Sequence, residues 1–418
     1  MQIFLVGGAV RDKLLNFPVI EHDWVVLGET PETMKKQGFR SVGRDFPVFL
    51  HPQTQEEYAL ARTERKTAPG YTGFSVYASP TVSLEEDLLR RDLTINAMAM
   101  TADGSIIDPY GGQRDVAERI FRHVSPAFSE DPVRILRVAR FAARYAHLGF
   151  TLAPETRALM QAMVASGEVD YLVAERVWAE LFKALHEFTP SAFFLVLQDC
   201  GALARIFPEI DQLFGVPQPE LYHPEIDTGL HSLLALEQAA LLSKSPEVRF
   251  AALVHDLGKA VSPKANLPHH HQHEINGLPI LEMLCQRLRI PNSFKNLALQ
   301  VMRFHTHCHR VEQLKPSTLV DTLMQLGAFK PVNSLQEFLL ACEADARGRT
   351  GFEQRPYYQA DFFRVAAEKA NAIDMKTILT TNAMGAEIGV AIRQARIAVI
   401  AELMRFDTAK LPGTPDLR

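Results

Sequence analysis

The stretch LVGGAVRD, Leu5–Asp12, decides how the amino-terminal part of this chain folds. An apolar run meets a pair of glycines, and a segment with helical spacing follows, as when a strand turns into a helix. A second apolar run, Trp24–Leu27, begins just after two acids, Glu21 and Asp23. Side chains two apart on a strand point to the same face, so we expect both carboxylates to converge. Two carboxylates beside a glycine turn that opens a helix suit Mg²⁺ and a triphosphate.

The composition is that of an ordinary globular protein with two to four domains. The chain has 418 residues, 47% of them hydrophobic and 22% charged, and a net charge of −5 that gives no hint of nucleic-acid binding. Any RNA contact must therefore come from local basic clusters. The four cysteines form no CxxC pair, which favours a reducing compartment over disulfides or a zinc-thiolate site. No signal peptide or membrane-spanning run is apparent. We expect a cytoplasmic protein without membrane or obligate protein partners, as a monomer, with a dimer as the alternative.

The pattern of elements predicts an α+β fold, with an α/β head at residues 1–115 and an all-α neck and body at 116–222. In the head, apolar runs alternate with turns, and a helical pattern covers Leu84–Met98. The runs predict strands at Ile3–Val6, Trp24–Leu27, Val48–Leu50, Tyr58–Ala61 and Ile106–Ile107. Beyond the head, strand signals nearly vanish. Helical periodicity covers 132–149, 154–165, 174–188 and 190–204.

Histidine usage marks a third region. Ten of the fifteen histidines fall between His223 and His309, which predicts an all-α metal domain over residues 223–348. Prolines crowd the segment before it and indicate a linker around residues 208–224. Residues 349–418 are predicted to form carboxy-terminal helices and, from Leu411, a frayed tail.

The acids Glu21 and Asp23 are the candidate catalytic residues. Two-metal phosphoryl transfer needs carboxylates that hold the ions at the attacking hydroxyl and at the triphosphate. Glu57, which leads the apolar run of a neighbouring strand, is a candidate third carboxylate, and an exposed edge-strand glutamate is the alternative.

A second polar motif lies within the helical pattern predicted for Leu84–Met98. On a helix, Asp92 and Asn96 are four apart and share a face, where an acid and an amide can bind ribose hydroxyls. Arg91 beside them can contact phosphate. A helix cap at Asp92 with solvated arginines is the alternative.

A third motif is a row of arginines on one helix. Arg134, Arg137, Arg140 and Arg144 recur at three, three and four residues and form one stripe opposite an apolar side. Since no acids stand at complementary spacing on that helix, the stripe is expected to bind an external anion. The alternative is a surface face paired with acids from elsewhere in the fold.

These motifs, in this order, resemble those of the class II tRNA nucleotidyltransferases, the bacterial CCA-adding enzymes. LVGGAVRD with its E-x-D resembles their metal and phosphate motif, RRDLTINAMA (Arg90–Ala99) their ribose motif, and EDPVRILRVARF (Glu130–Phe141) their base-reading helix. The resemblance implies a polymerase-β-like head that adds CCA to the 3′ end of tRNA from CTP and ATP with Mg²⁺.

The resemblance also implies roles for single residues. Asp131 and Arg134 would be the amino-acid template that reads the incoming base. Those that would contact the nucleotide are Gly8, Arg11, Arg91, Arg137 and Arg140. The family usually has Asp where this chain has Glu21, and we expect the longer side chain to retain activity with altered metal geometry.

The histidine region carries its own motif, His255-Asp256-Leu257-Gly258-Lys259. Adjacent His and Asp can ligate one ion only at a helix end or bend, which Gly258 is expected to supply. With His231 and Asp345 they would make a mixed N/O set suited to a transition metal such as Ni²⁺ or to Mg²⁺. Histidines that only pack in the core or at the surface are the alternative.

This order of ligands resembles the HD phosphohydrolases. The resemblance implies hydrolysis of phosphomonoesters or 2′,3′-cyclic phosphates, as part of tRNA 3′-end repair. Lys259 would contact the substrate phosphate, and His273 and His305 are candidates for a second metal.

Three other interpretations stay open from the sequence. One is a bacterial poly(A) polymerase, which shares the amino-terminal motifs. Another is an HD phosphohydrolase whose head only senses nucleotides. The third is a non-enzymatic RNA-binding or sensor protein. Intact carboxylates at positions 21 and 23 favour catalysis over the last two.

Overall fold

The computed structural model describes residues 1–42, 47–66, 74–331, 334–374 and 386–407. The tail predicted from Leu411 lies outside these residues. The chain divides into two compact units, Met1–Pro208 and Glu209–Arg418. The first combines a sheet with helices and the second is built of helices, which confirms the predicted α+β fold class. Among the described helices, none combines the length and the apolar character needed to cross a bilayer.

The described part of the first unit contains eleven short strands. They are β1 (Gln2–Val6), β2 (Asp23–Leu27), β3 (Arg40–Ser41), β4 (Val48–Leu50), β5 (Glu57–Leu60), β6 (Arg62–Lys66), β7 (Phe74–Ala78), β8 (Ala99–Met100), β9 (Ile106–Ile107), β10 (Ile120–Phe121) and β11 (Thr151–Leu152). Seven form one sheet in the order β3-β4-β5-β2-β1-β8-β9. Within it β2 and β5 are parallel and the other neighbours antiparallel.

The sheet is buried on both faces because its central strand alternates between two cores. Val25 of β2 packs with Val6 and Leu88 in one cluster. Its neighbour Val26 points the other way and packs with Met34 and Phe49 in another. The sheet is thereby fixed in register, and with it the polar residue Asp23 at the start of β2.

Nine helices follow or flank the sheet in the described part of the first unit. They are α1 (Gly8–Leu14), α2 (Pro31–Lys36), α3 (Leu84–Leu89), α4 (Gly112–Glu118), α5 (Val133–Tyr145), α6 (Pro154–Ala165), α7 (Ala174–His186), α8 (Ser191–Asp199) and α9 (Ala202–Ile206). α5 packs against α7 and α8, and most of its side chains are buried. Arg134 and Arg140 of α5 are therefore buried and do not lie on an open surface.

The second unit begins within a short helix, α10 (Pro208–Asp211). Its described helices are α11 (Thr228–Leu242), α12 (Pro246–Val254), α13 (His273–Arg287), α14 (Asn292–His309), α15 (Pro316–Gln325), α16 (Leu335–Arg347), α17 (Tyr358–Asn371) and α18 (Ala386–Asp407). α11, α12, α14 and α16 pack against one another in its core. All four carry a predicted metal ligand or end just before one.

The predicted strands are present, with bounds shifted by at most one residue. The helical pattern over Leu84–Met98 is wrong in its second half, since α3 ends at Leu89 and a single 3-10 turn, Thr94–Asn96, follows. Polar side chains and the neighbouring strand, rather than helical hydrogen bonds, fix residues 92–96. The pattern over 190–204 is divided into α8 and α9.

Candidate functional site

One cavity of about 1070 Å³ in the first unit gathers the predicted head residues. Its walls come from the start of α1, the segment before β2, the start of β5, the segment after α3, and helices α5 and α7. The predicted residues that line it are Gly8, Arg11, Glu21, Asp23, Glu57, Arg91, Asp92, Asn96, Asp131, Arg134, Arg137 and Arg140. Predicted residues as far apart in sequence as Gly8 and Arg140 therefore line one concave surface.

Asp23 is the first residue of β2 and sits beside Glu57, its register partner on the parallel strand β5. Glu21 precedes the strand, so the expected alternation along one strand is not what brings Glu21 to the cavity. Desolvation by the surrounding protein raises the pKa of Asp23, and the charge of Glu21 adds to this rise, although Arg91 opposes it. Burial and the neighbouring Glu21 both disfavour the charged form of Asp23, and a bound cation would relieve this.

The glycine turn is needed because an arginine passes close to it. Gly7 has φ 68°, and a Cβ there would lie 2.9 Å from Nη1 of Arg91. Nη2 of the same guanidinium is 3.2 Å from the buried carboxylate of Asp87. Gly7 therefore lets Arg91 reach the cavity next to the start of α1.

Asp92 and Asn96 meet without a helix between them. Asn96 Nδ2 donates to Asp92 Oδ1 at 2.9 Å, and Arg137 Nε donates to Asp92 Oδ2 at 2.7 Å. Burial alone would raise the pKa of Asp92, but Arg137 and the hydrogen bonds outweigh it and lower that pKa strongly. Asp92 is thus a charged acceptor. It holds Asn96 and Arg137 at the cavity wall.

The arginine stripe of α5 pairs with acids from elsewhere in the fold, which was the alternative to an external anion, and the predicted anion contact stays a prediction. Arg137 pairs with Asp92, and Arg140 donates to Glu180 of α7 at 2.7 Å. Arg144 lies 3.4 Å from Asp12. These acids come from three other elements, so spacing along α5 could not reveal them. The same arginines nevertheless line the cavity.

Asp131 and Arg134, the two residues expected to read the base, are held by different hydrogen-bond partners. Arg176 of α7 donates to both oxygens of Asp131, at 3.0 and 2.7 Å. Arg134 donates to the carbonyls of Ala127 and Arg90, at 2.9 and 2.6 Å. Both side chains are thereby fixed at the cavity wall.

Sequence reasoning missed Arg176 and Glu180. Glu180 offered a signal, because it falls on the otherwise apolar side of α7, between Val177 and Ala184. A buried acid at such a position needs a cationic partner, which here is Arg140. Arg176 gave no such signal.

The four predicted ligands of the second unit are buried and face one another. His231 Nε2 lies 3.1 Å from Asp345 Oδ1, and His255 Nε2 lies 3.1 Å from Asp256 Oδ2 and 3.5 Å from Asp345 Oδ2. Lys259 Nζ is 2.6 Å from Asp256 Oδ2. On the other side of Asp256, Oδ1 lies 3.3 Å from His273 Nε2 and 3.8 Å from His305 Nε2.

The donor atoms of this cluster fit a bound metal. His255 Nδ1 donates to the carbonyl of Ala252, which leaves Nε2 to face the acids. His255 Nε2 and both oxygens of Asp256 are buried and, within the described residues, make no hydrogen bond of good geometry. Burial alone would lower the pKa of His255, but Asp256 and Asp345 outweigh it and raise that pKa. A cluster that favours a proton among its acids also favours a divalent cation there.

The groups of three possible ligands whose atoms lie within 4.8 Å of one another are, among the described residues, all in the second unit. They combine His231, His255 and Asp256; His255, His305 and Asp345; Asp256, His273 and His305; and His223, Glu225 and His231. Glu21 and Asp23 share a cavity but belong to no such group. The candidate metal site of the second unit is therefore more completely assembled than the one at Glu21 and Asp23.

Three contacts of the second site were not predicted. Glu225 Oε1 lies 3.1 Å from His231 Nδ1, and His309 Nε2 lies 2.6 Å from Asp345 Oδ2. Tyr357 lies 2.8 Å from Nδ1 of the same His309. Glu225 directly follows the segment expected to be a linker and forms part of the wall of the site. The bend that presents His255 and Asp256 is the end of α12 at Val254, and not Gly258.

Three families match consecutive parts of the chain. The family described as Poly A polymerase head domain matches residues 3–122, and the one described as Probable RNA and SrmB- binding site of polymerase A matches residues 149–214. The HD domain family matches residues 228–327.

Relatives match over nearly their whole length. The Multifunctional CCA protein of Methylococcus capsulatus is 61% identical over 416 residues, which cover 99% of this chain and 97% of that protein. The Multifunctional CCA protein of Teredinibacter turnerae is 59% identical over 408 residues, 98% of this chain and 99% of that protein.

Solved structures share the fold. The Bacillus stearothermophilus CCA-adding enzyme in complex with CTP superposes with a TM-score of 0.66 at 23% identity, over 96% of this chain and 89% of that one. The Thermotoga maritima CCA-adding enzyme complexed with tRNA superposes with a TM-score of 0.62 at 18% identity, over 97% and 91% of the two chains.

Proposed function

The chain belongs to the family of multifunctional CCA proteins, and on that premise we propose that it adds the 3′-terminal CCA to tRNA. CTP and ATP are the nucleotide substrates, and Mg²⁺ is the cofactor. The observation that carries the proposal is the single cavity in which Glu21 and Asp23 face the arginines of α5. Acids for a cation and arginines for phosphates, in one cavity, are what nucleotidyl transfer requires.

Glu21 and Asp23 are the proposed Mg²⁺ ligands, with Glu57 as the third carboxylate. Mg²⁺ held by these acids would activate the 3′ hydroxyl of the tRNA and neutralise the triphosphate. Arg11 and Arg91 reach the cavity beside the start of α1, where backbone N–H groups also point. These residues bind and orient the triphosphate. Glu21 carries one more methylene than the usual Asp, so we expect activity with altered metal geometry.

Asp131 and Arg134 are the proposed base-reading pair. A carboxylate accepts from the exocyclic amino group that cytosine and adenine share, and a guanidinium donates to the neighbouring ring acceptor. Guanine and uracil present a carbonyl at the same place and would leave buried groups unpaired. The bidentate contact from Arg176 holds Asp131 in one orientation. Asp92 and Asn96 are the proposed ribose contacts.

For the second unit we propose hydrolysis of phosphomonoesters or 2′,3′-cyclic phosphates at an HD metal centre. His231, His255, Asp256 and Asp345 would hold a transition metal such as Ni²⁺, or Mg²⁺. A divalent ion there would activate water for attack on phosphorus. His273 and His305, which face Asp256 Oδ1, are the proposed ligands of a second ion. Lys259 is the proposed phosphate contact.

The nucleotidyl-transfer proposal is tested with purified protein, Mg²⁺ and a tRNA that lacks its terminal CCA. Labelled CTP alone should add two C, and CTP with ATP should add two C and one A. A long tail from ATP alone would indicate a poly(A) polymerase instead. Phosphate release without any extension would leave only a hydrolase with a nucleotide-sensing head.

The hydrolase proposal is tested with a 2′,3′-cyclic nucleotide and with p-nitrophenyl phosphate. A chelator should abolish the hydrolysis and added Ni²⁺ or Mg²⁺ should restore it. His255→Ala should be inactive as a hydrolase, and added Ni²⁺ or Mg²⁺ should not restore its activity. Hydrolysis that persists in the chelated enzyme would contradict a metal centre.

A further inference from the structure

A loop before α11 is fixed against the metal centre of the second unit. The loop runs from residue 215 to residue 227, and Gln218 N donates to the carbonyl of Ile226 at 2.7 Å. Thr228 N donates to the carbonyl of Val216 at 3.0 Å, and His270 Nε2 donates to the carbonyl of Pro217 at 2.9 Å. These bonds hold the backbone on both sides of Gln218 in one position.

The side chain of Gln218 reaches the phosphate-contact candidate Lys259. Gln218 is only 2% exposed, and its Oε1 accepts from Lys259 Nζ at 2.5 Å. Lys259 Nζ in turn lies 2.6 Å from Asp256 Oδ2. Gln218 therefore contacts Lys259, which in turn contacts the proposed metal ligand Asp256.

The other end of the same amide has no partner. Within the described residues, Gln218 Nε2 is buried and has no hydrogen-bond acceptor. A buried donor is normally satisfied, so an orphaned one beside a ligand-binding centre indicates an acceptor that arrives with the ligand. The Asp256 oxygens and His255 Nε2, which within the described residues make no hydrogen bond of good geometry, belong to the metal-ligand set and indicate a cation. The neighbouring orphaned donor indicates an anion.

We propose that Gln218 and Lys259 together form the phosphoryl-oxygen site of the HD centre. Gln218 Nε2 donates to one non-bridging oxygen of a phosphomonoester or cyclic phosphodiester, and the ammonium of Lys259 neutralises the phosphoryl charge. The ligand class is fixed by chemistry, because an amide donor and an ammonium donor beside a cation site suit a tetrahedral oxyanion. The proposal rests on the proposed hydrolase function and adds a substrate-positioning residue from outside the HD family match.

A purely structural role for Gln218 makes a different prediction. If Gln218 serves only to accept from Lys259, Gln218→Glu should preserve or strengthen that contact, because a carboxylate accepts from an ammonium at least as well. If Gln218 binds phosphate, Gln218→Glu removes the donor and places a negative charge at the phosphoryl oxygen. Gln218→Met keeps the shape of the side chain and removes both polar atoms.

The test uses the full-length metal-loaded protein. Binding of inorganic phosphate is measured by calorimetry, and KM and kcat are measured separately for p-nitrophenyl phosphate and for a 2′,3′-cyclic nucleotide. In Gln218→Glu and Gln218→Met we expect the phosphate Kd and the KM to rise about tenfold or more, with a smaller change in kcat. Metal content and CCA addition should stay at the wild-type level. Gln286→Glu, an exposed change on α13, should behave like wild type.

The outcomes separate the two proposals. Wild-type phosphate binding and KM in both Gln218 variants would overturn the role of Gln218. Loss of bound metal in Gln218→Met would also overturn it, in favour of a structural role. A raised KM for only one substrate would assign the site to the monoester or to the cyclic diester. If the metal-loaded wild type hydrolyses neither substrate, the hydrolase function fails, and phosphate binding still decides whether the anion site exists.

Discussion

Arg134 combines two properties that a base-reading residue needs. It is 8% exposed, and two backbone carbonyls fix its guanidinium, so it cannot easily turn towards another partner. Its neighbour Asp131 is fixed as firmly by Arg176. A rigid pair can discriminate between bases, because an incoming base cannot pull it into a new arrangement.

Arg134→Ala is expected to relax nucleotide choice. Without the guanidinium, the hydrogen bond to the correct base is lost and an incorrect base leaves fewer buried groups unpaired. The ratio of kcat/KM for CTP to that for UTP should fall by roughly tenfold to a hundredfold. The measurement is single-nucleotide incorporation with each of the four triphosphates. An equal loss for all four would contradict the assignment of Arg134 as a base reader.

Asp87 is expected to make the first unit sensitive to acid. It is fully buried and lies 2.8 Å from Arg90 and 3.2 Å from Arg91. Burial alone would raise its pKa above the ordinary 3.8, but the two arginines outweigh it and lower the pKa. The stabilisation by charged Asp87 is therefore fully present above about pH 4 and is lost as the pH falls through the lowered folded-state value.

The check is urea unfolding of wild type and Asp87→Asn at several pH values. At pH 7 the variant should be less stable by about 3 kcal/mol, since two partly buried guanidiniums lose their buried counter-charge. The difference should shrink as the pH falls below about 4. A difference that does not depend on pH would show that Asp87 contributes by packing or hydrogen bonding alone.

At the scale of elements, Gly258 lets the segment after α12 lie directly on α13. A Cβ at this position would overlap the carbonyl oxygen of His273 and would lie 2.7 Å from the backbone nitrogen of Gly277. Both obstacles are backbone atoms of α13 and cannot move aside. This contact brings His273 to the side of Asp256 that faces away from His231.

Gly258→Ala should destabilise the second unit by about 3 kcal/mol and reduce its bound metal. Thermal unfolding and metal content per chain are the measurements. Gly389→Ala is the matched control, because a Cβ on that helical glycine of α18 meets nothing within 4 Å. It should leave metal content unchanged and stabilise the protein slightly, by up to about 1 kcal/mol. Equal effects of the two substitutions would refute the close-contact explanation.

Three elements meet behind the ligand Asp345. The carboxylate accepts from His309 Nε2 at the end of α14, and His309 Nδ1 accepts from the hydroxyl of Tyr357 just before α17. Burial lowers the pKa of His309 despite Asp345, so the ring is neutral and can take part in both bonds. Such outer contacts fix the orientation of a metal ligand.

Tyr357→Phe is expected to weaken metal binding at the HD centre by about tenfold, because His309 loses its orienting partner. Competition with a coloured chelator measures the affinity without relying on activity. Tyr358→Phe is the control, since that neighbouring hydroxyl bonds instead to the exposed Glu312. Unchanged affinity in the Tyr357 variant would rule out an orienting role.

Some elements were predictable because local rules fix them. The run around β2 and the helix 154–165 follow from apolar periodicity and from Pro154 at a helix start, and their observed bounds agree within one residue. Residues 92–96 were not predictable as a 3-10 turn, since their conformation depends on Arg137 and on a strand contact with His123. Periodicity carries no information about such distant partners.

At the scale of the whole molecule, the two proposed activities reside in separate units and should be separable by mutation. Glu21→Ala should abolish CCA addition and spare phosphatase activity, because it removes a carboxylate only from the head cavity. His255→Ala should do the reverse. Extension of a truncated tRNA and phosphate release from p-nitrophenyl phosphate are measured on the same preparations. Loss of both activities in a folded single variant would contradict two independent sites.

The residues predicted for each site lie together in the structure, whereas their charge balance could not be predicted from motifs. The four HD ligands and the twelve head residues were placed by spacing and resemblance, and the structure gathers each set. Glu180 neutralises Arg140, and Glu225 contacts His231. Both contacts depend on how helices and loops pack. A single sequence without aligned relatives offers no direct measure of such packing.

The loop that carries Gln218 and Glu225 also determines where the hydrolase could be separated from the rest of the chain and fused to another protein. A transplant of the hydrolase that starts at Thr228, the first residue of α11, would leave both side chains behind. Metal ligands would be carried over intact while the anion contact and the support of His231 were missing. A working graft should therefore begin near residue 209 and run past Tyr357.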